Sequence, residues 1–273
     1  MKTLVIANHK GGVGKSAIAT MLAHFLAQRG LRVLAIDLDH QSNFSSAIVR
    51  SARARLFEVS ADGLMTNAVT AAPNATFVLV PGGPALIGLE RQAALHSPFA
   101  RNLRGFLRAV NDRFDVCVVD TNPNPDIRMI AALASADHVL SPFELNQEAM
   151  DGVSALLNHE RVGLRKIKAV LNPKLNFMGL LPTKVEATPF QRANLQQVVQ
   201  QYRERLIPIG PELGQVAWIP KRSAVAEAQA QGEVLWEMKK SAARDAWKEM
   251  EPSISRIAAL ATSTAAIRDG AAA

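Results

Sequence analysis

A single α/β domain, a mostly parallel twisted sheet with helices on both faces, is the fold this sequence predicts. Three observations carry that prediction. Short apolar or β-branched runs alternate with helical stretches along the 273 residues, the pattern of a parallel sheet covered on both sides. The run Val116–Val119 is apolar at every position, as a strand buried on both faces requires. And the first strand runs straight into the Gly-rich turn His9–Ser16 and then a helical pattern, the strand–loop–helix context of a phosphate-binding loop.

The elements follow in order. Thr3–Ala7 reads as the first strand and Ala17–Gln28 as the first helix, ended by the Gly30 turn. Arg32–Asp37 is the second strand. Asn43–Ala75 is poorly periodic, with a helix possible over Ser45–Arg55 and a turn at Asn74. Phe77–Val80 is a strand stopped by Pro81-Gly82-Gly83-Pro84. Leu86–Leu95 and Phe99–Asn111 read as helices, the second with Leu103, Phe106, Leu107 and Val110 on one face. After Val116–Val119 come a helix at Ile127–Ala134, a strand at His138–Leu140 ended by Pro142, and a helix at Gln147–Asn158. Lys168–Leu171 reads as the next strand, stopped by Asn172-Pro173. Thr188-Pro189 is a start signal for a helix over Thr188–Arg205. Val216–Ile219 reads as a strand ending at Pro220, with helices at Ser223–Gln231 and Ser241–Leu260, the latter broken or bent near Pro252. One domain is expected over residues 1–260, with 261–273 a disordered tail ending D-G-A-A-A.

The loop reads H-K-G-G-V-G-K-S over His9–Ser16. Glycines at 11, 12 and 14 let successive backbone N–H groups turn toward an anion, and the following helix N-terminus adds its positive dipole end. Lys15 is then placed for the β/γ-phosphates and the Ser16 hydroxyl for Mg²⁺. His9 stands where the generic motif has its first glycine, and Lys10 adds a second lysine. The domain therefore reads as a P-loop nucleoside triphosphatase.

Composition bounds the rest. With 48% hydrophobic residues the chain buries a substantial core. No apolar stretch reaches the roughly 18–20 residues of a membrane span, and the start lacks a signal-peptide pattern, so a cytoplasmic protein is expected. The one cysteine, Cys117, lies inside an apolar strand and excludes an internal disulfide or a cysteine-ligated cluster. Net charge is +7, with residues 151–273 carrying 17 Lys+Arg against 12 Asp+Glu and the first 150 carrying 14 against 12. That tilt suits an anionic polymer or an ordinary solvated surface.

Two acidic groups stand at strand ends on the expected loop side of the sheet. Asp37-Leu38-Asp39-His40-Gln41-Ser42-Asn43 follows the second strand and Asp120-Thr121-Asn122-Pro123 the central one. Hydrolysis of a triphosphate needs a carboxylate near Mg²⁺ and a residue that orients the attacking water. Asp120 suits the first task and Asp39 the second.

Together these segments resemble the ParA/MinD family of deviant Walker-A ATPases, most closely its ParA branch. K-G-G-V-G-K-S resembles the family loop, D-L-D-H-Q-S-N its D-x-D-P-Q-x-N, and F-D-V-C-V-V-D-T-N-P its Y-D-x-x-x-x-D-T-P-P. V-L-N at Val170–Asn172, L-L-P-T at Leu180–Thr183 and I-P-K-R-S-A-V-A-E-A at Ile219–Ala228 fall where ParA proteins have similar segments. The resemblance implies an ATP- and Mg²⁺-dependent hydrolase that forms a sandwich homodimer on ATP. Residues Gly11, Gly12, Val13, Gly14, Lys15, Ser16 and Ala17 would hold the phosphates, and Asn172 and Pro220 would line the adenine pocket. Lys10 would reach the partner subunit's nucleotide, much as an arginine finger acts in trans. Asp39 would position water at the edge of the metal site formed with Ser16 and Asp120. His40 and Asn122 depart from the two prolines of the family pattern.

Branches of the family separate on residue content. The iron–sulfur members need paired cysteines, and the tyrosine kinases a Tyr-rich tail where this chain has only Tyr202. MinD-like members end in an amphipathic membrane helix, and Ile254, Ile257, Leu260 and Ile267 make too thin an apolar face for membrane binding to be expected. An operator-binding helix-turn-helix domain ahead of the first strand, and autoregulation through it, are not expected from this sequence. The remaining expectation is a nucleoid-associated switch that binds non-specific DNA and segregates a plasmid or chromosome with a ParB-like partner. Arg203, Arg205, Lys221, Arg222, Lys239, Lys240, Arg244 and Lys248 are the candidate phosphate contacts. The alternative is a positioning ATPase for a protein cargo, such as a conjugation, pilus or chemoreceptor assembly, and a third reading is a metabolic P-loop enzyme.

Overall fold

Strand residues alternate between two apolar faces, and that alternation builds the domain as three layers. In the computed structural model, which describes residues 1–145, 149–212 and 214–263, seven parallel strands form one sheet in the order β3-β4-β2-β5-β1-β6-β7. They are β1 (Lys2–Ile6), β2 (Val33–Leu38), β3 (Arg55–Leu56), β4 (Phe77–Val80), β5 (Val116–Thr121), β6 (His138–Glu144) and β7 (Asn176–Thr183). Val5, Leu34, Ile36, Val78, Cys117, Val119 and Val139 point to one core. Leu4, Ile6, Val33, Ala35, Leu79, Val116 and Val118 point to the other. The period of two leaves nearly every strand residue buried, as expected of a parallel sheet.

On the first face lie α3 (Ala61–Thr66), α4 (His96–Ala109), α5 (Ile127–Ser135) and α7 (Leu164–Val170), with Phe99, Leu103, Phe106, Met129, Leu133 and Ile167 turned inward. On the second lie α1 (Lys15–Gln28), α9 (Ser223–Gln231) and α10 (Ser241–Thr262). There Ile18, Leu22, Leu26, Ala228, Met250, Ile254 and Ile257 close the core. Fully buried Phe44, Phe106, Phe114 and Phe143 each contribute roughly 1.5–3 kcal/mol. The remaining helices are α2 (Asn43–Ser51), α6 (Ala149–Asn158) and α8 (Pro189–Tyr202).

Several sequence expectations are corrected. Lys168–Leu171 is no strand: it ends helix α7, in which Leu164 and Ile167 share one buried side at helical spacing. The strand comes after Pro173, as β7, where Gly179 and Pro182 interrupt the apolar run that would have announced it. β6 does not stop at Pro142. Its pairing with β1 ends at Leu140 while pairing with β7 continues to Glu144, so a residue without an N–H costs no ladder bond on the open side. Val216–Ile219 is not a strand of the sheet. It pairs irregularly, with the Ala217 N–H donating to the Ile207 carbonyl, the Ile219 N–H to the Pro182 carbonyl and the Val185 N–H to the Ile219 carbonyl. Its bridges Pro208–Val216 and Val185–Pro220 involve prolines, which cannot donate to a ladder.

Leu86–Leu95 forms two 3-10 turns, Pro84–Leu89 and Ala93–Leu95, in place of an α-helix. The helix expected over Ser45–Arg55 is α2 and ends at Ser51, after which Arg55–Leu56 pairs with β4. α10 runs unbroken through Pro252 to Thr262, two residues beyond the expected boundary. Residues 264–273 lie outside the described residues, as does Gln147 at the start of the helix expected over Gln147–Asn158.

Candidate functional site

β1, β5 and β2 are neighbours in the sheet, so the loops that leave their carboxyl ends emerge side by side. The first is the phosphate-binding loop. Gly12 has φ 78° and Gly14 φ 90°, the left-handed region in which a side chain is strained. A Cβ at Gly11, Gly12 or Gly14 would meet no atom within 4 Å. The loop therefore borders open space, with Gly14 at the amino end of α1. Lys15 Nζ donates to the Lys10 carbonyl at 3.0 Å. Burial lowers its pKa, against the pull of Asp120 and Asp39, which favour the ammonium.

The loop is held from beneath. Asn8 Nδ2 donates to the Pro142 carbonyl at 2.7 Å, and Asn8 Oδ1 accepts from the Lys10 N–H at 2.8 Å. Thr183 Oγ1 donates to the Val13 carbonyl at 2.9 Å and lies 3.0 Å from the Phe143 carbonyl. Val13 itself points into the core, 1% exposed. Asn8 and Thr183 carry no motif of their own; the only signal for Thr183 is the L-L-P-T segment. His9 stacks on His159 with ring centroids 5.3 Å apart. Burial, then His159 and Lys15, push His9 down to about 4, which keeps it neutral beside the lysine.

The acids close the other side. Asp37 and Asp120 are direct neighbours across β2 and β5, and both side chains are fully buried. Asp37 accepts from the Ser45 N–H and hydroxyl and from the Asp39 N–H. Burial still raises it to about 6, with nearby Asp39 adding to the rise. Asp37 thus fastens the start of α2 to the end of β2, a task that sequence reading did not assign. Neither Asp120 oxygen has a hydrogen-bond partner. Burial and then the Asp37 charge raise its pKa well above the usual carboxylate range, while Ser16 and Lys15 oppose the rise. A buried, unpartnered carboxylate beside the Ser16 hydroxyl fits a divalent cation, which would supply the missing charge compensation. Asp39 Oδ1 accepts from the Gln41 N–H at 3.0 Å. Ser42, two residues after His40-Gln41 begins the turn, sits at φ 55°, a conformation that costs a non-glycine residue about 1–2 kcal/mol.

These groups border a cleft of about 680 Å³ lined by Gly11, Gly12, Gly14, Lys15, Ser16, Ala17, Asp39, His40, Asn43, Arg50, Pro123 and Gln229, among others. That volume suits a nucleotide. The structure thus brings Gly11, Gly12, Gly14, Lys15, Ser16, Ala17 and Asp39 to one cleft, with Asp120 buried behind it and Lys10 joined to the loop through its backbone carbonyl. It does not bring Asn172 there. Asn172 Nδ2 donates to the Leu133 and Ala136 carbonyls, just ahead of β6 and so at the opposite edge of the sheet. That is a correction: V-L-N ends helix α7 and is no part of the adenine pocket. Pro220 is at the proper edge, bridged to Val185 beyond β7, but does not line the cleft.

The eight candidate DNA contacts fall on three segments, after α8, ahead of α9 and at the start of α10. Lys221 pairs with Glu186 at 2.6 Å, Arg222 with Glu249 and Lys240 with Glu227. Arg203 and Arg205 sit on a 3-10 turn after α8. Lys239 precedes α10, while Arg244 and Lys248 lie one turn apart on it, all three exposed. Among the described residues no helix is long and apolar enough to cross a membrane.

Comparison with known proteins agrees with this geometry. A family model described as an AAA domain matches residues 1–177. The chain is 37% identical over 260 residues to Protein IncC of Escherichia coli, covering 92% of this chain and 67% of that protein. It is 32% identical over 237 residues to the chromosome-partitioning ATPase Soj of Thermus thermophilus, covering 86% and 87%. An ATP complex of McdA from Cyanothece shares the fold, with a TM-score of 0.72 and 22% identity over 98% of this chain and 99% of that one. With its loop, its two strand-end acids and these relatives, the chain belongs to the ParA/MinD family of P-loop ATPases.

Proposed function

We propose that this ATPase is a partitioning switch: it dimerises on ATP, binds DNA without sequence preference, and lets go after hydrolysis. In that cycle it segregates plasmid or chromosomal DNA on the nucleoid with a ParB-like centromere-binding partner. The observation that carries the reading is the placement of two lysines on one phosphate loop. Lys15 is folded back inside the loop, its Nζ on the Lys10 carbonyl, which suits one set of β/γ-phosphates. Lys10, the second lysine of the loop, would serve a nucleotide held by a second copy, so that hydrolysis would depend on dimerisation.

The other roles follow from position. Ser16 and Asp120 would hold Mg²⁺, which supplies charge neutralisation between the β- and γ-phosphates. Asp39, with Oδ1 anchored by the Gln41 N–H, would orient the attacking water with its other oxygen. The Pro220 segment would border the base. Exposed Lys239, Arg244 and Lys248 are the better placed DNA contacts, since Lys221, Arg222 and Lys240 are engaged by glutamates.

The test is binding of the purified protein to random-sequence duplex DNA with ADP, ATP and a slowly hydrolysed analogue, at two salt concentrations. Binding only with triphosphate, weakened at higher salt, supports the switch. Asp39→Ala should dimerise on ATP and stay on DNA without turnover. No binding with any nucleotide would overturn the DNA reading and turn attention to a protein cargo.

A further inference from the structure

We propose that His40 and Arg128 are positioning residues that couple the Asp39 loop to the loop after β5, so that the two sides of the hydrolysis site move together. The proposal deepens the reading given above and rests on Asp39 orienting the attacking water.

The coupling is a continuous polar chain across 88 residues of sequence. Arg128 lies in the first turn of α5 with its side chain 3% exposed. A guanidinium that deep needs partners, and Asp126 provides them: Arg128 Nε donates to Asp126 Oδ2 at 3.0 Å and Nη2 donates to the same oxygen. Asp126 Oδ1 accepts from the Arg128 N–H at 3.0 Å and so caps α5. Asn122 Nδ2 donates to Asp126 Oδ2 at 3.0 Å, which ties the loop after β5 to the pair.

The remaining nitrogen, Arg128 Nη1, stands 3.3 Å from His40 Nδ1. The same His40 nitrogen stands 3.3 Å from Asp39 Oδ1. One ring nitrogen either accepts from Arg128 or donates to Asp39, never both at once. Its equal distance from the two makes His40 the branch point between the loops, and the Gln41 side-chain amide 2.9 Å from His40 Nε2 sets the branch. An amide N–H donating to Nε2 leaves the ring proton on Nδ1 for Asp39, whereas the turned amide, accepting from Nε2, leaves Nδ1 to accept from Arg128. Donation to Oδ1, together with the Gln41 N–H already there at 3.0 Å, leaves Oδ2 as the oxygen available to water. His40 and Asn122 are also the two positions where this chain departs from the family's prolines. A proline at either position could donate none of these bonds. The two departures therefore belong to one arrangement.

The experiment compares His40→Ala, His40→Asn, Arg128→Met and the double variant His40→Ala/Arg128→Met in steady-state ATP turnover. Nucleotide affinity and melting temperature are measured alongside. Asparagine offers both an acceptor for Arg128 and a donor for Asp39. We expect His40→Ala to lower kcat about tenfold or more, within the range a small misplacement produces, with KM for ATP and affinity for ADP changed less than twofold. His40→Asn should recover most of the loss, and the double variant should be no slower than the slower single variant. A His40→Ala kcat within twofold of the parent, no recovery by His40→Asn, or multiplicative losses in the double variant would each overturn the coupling. Should Arg128→Met fail to fold, the His40 pair decides, because that side chain is only half-buried, at 22% exposed, on a turn outside the core. Asp39→Ala run in parallel separates the two readings. Undiminished turnover there sinks the site assignment, whereas abolished turnover with a silent His40→Ala sinks only the coupling.

Discussion

Replacing Asp120 with asparagine should make the nucleotide-free protein more stable and its response to magnesium weaker. The carboxylate is fully buried, has no hydrogen-bond partner, and is paired across the sheet with Asp37. Side chains on adjacent strands stand about 5 Å apart. Two charges at that distance repel by about 3 kcal/mol at an effective dielectric of 20. Protonation of one partner limits the cost the fold bears, so Asp120→Asn should release roughly 1–3 kcal/mol. Melting temperature then rises by several degrees, at about 2–4 °C per kcal/mol for a chain near this size. With Asp37 raised to about 6, the gain should be larger at pH 8, where both acids are pressed to ionise, than at pH 5. The opposite holds with ligand. Mg²⁺ and ATP at 100 times the dissociation constant should add about 2.7 kcal/mol to the parent, and the magnesium-dependent part of that increment should vanish in the variant. Thermal unfolding with ATP, with and without magnesium, reads both effects. A lower melting temperature for nucleotide-free Asp120→Asn, or an undiminished magnesium increment, would refute the reasoning.

Two further outcomes are expected. Gly82→Ala places a Cβ 2.7 Å from the Asp39 carbonyl oxygen and 2.9 Å from that of Asp37. Backbone cannot yield cheaply there, so a loss of about 1–3 kcal/mol and a fall in turnover exceeding the fall in ATP affinity should follow, and normal values for both would contradict it. His24 packs edge-on against Phe77, and burial, then Arg53, push its imidazole down to about 4. The unfolded chain therefore binds more protons than the native one between about pH 4 and 6.5. The stability from neutral His24 is present above that window and is lost as pH falls through it, by about 3 kcal/mol. Urea unfolding at pH 7 and pH 4.5 should show a shallower loss for His24→Gln than for the parent, and equal losses would assign the pH dependence elsewhere.

What the sequence by itself determined is local or periodic. The alternating runs specify a parallel sheet because each strand must bury both faces. The spacing of His9–Ser16 specifies a phosphate loop because glycine takes the positive φ at positions 12 and 14 without the strain a side chain would bring. Asp39 and Asp120 were legible as strand-end acids, and the sheet order β2-β5-β1 puts their loops beside that one. Tertiary structure decided what depends on which distant segments meet. It moved Asn172 to the far edge of the sheet, because its amide caps carbonyls of the α5 end, and it made β7 out of a run that Gly179 and Pro182 disguise. It spent Lys221, Arg222 and Lys240 on glutamates that no spacing rule pairs with them. It also joined His40 to Arg128. Windows of a few residues encode backbone conformation and burial pattern, whereas a side chain's partner is chosen by strand order and helix packing, which no short window contains.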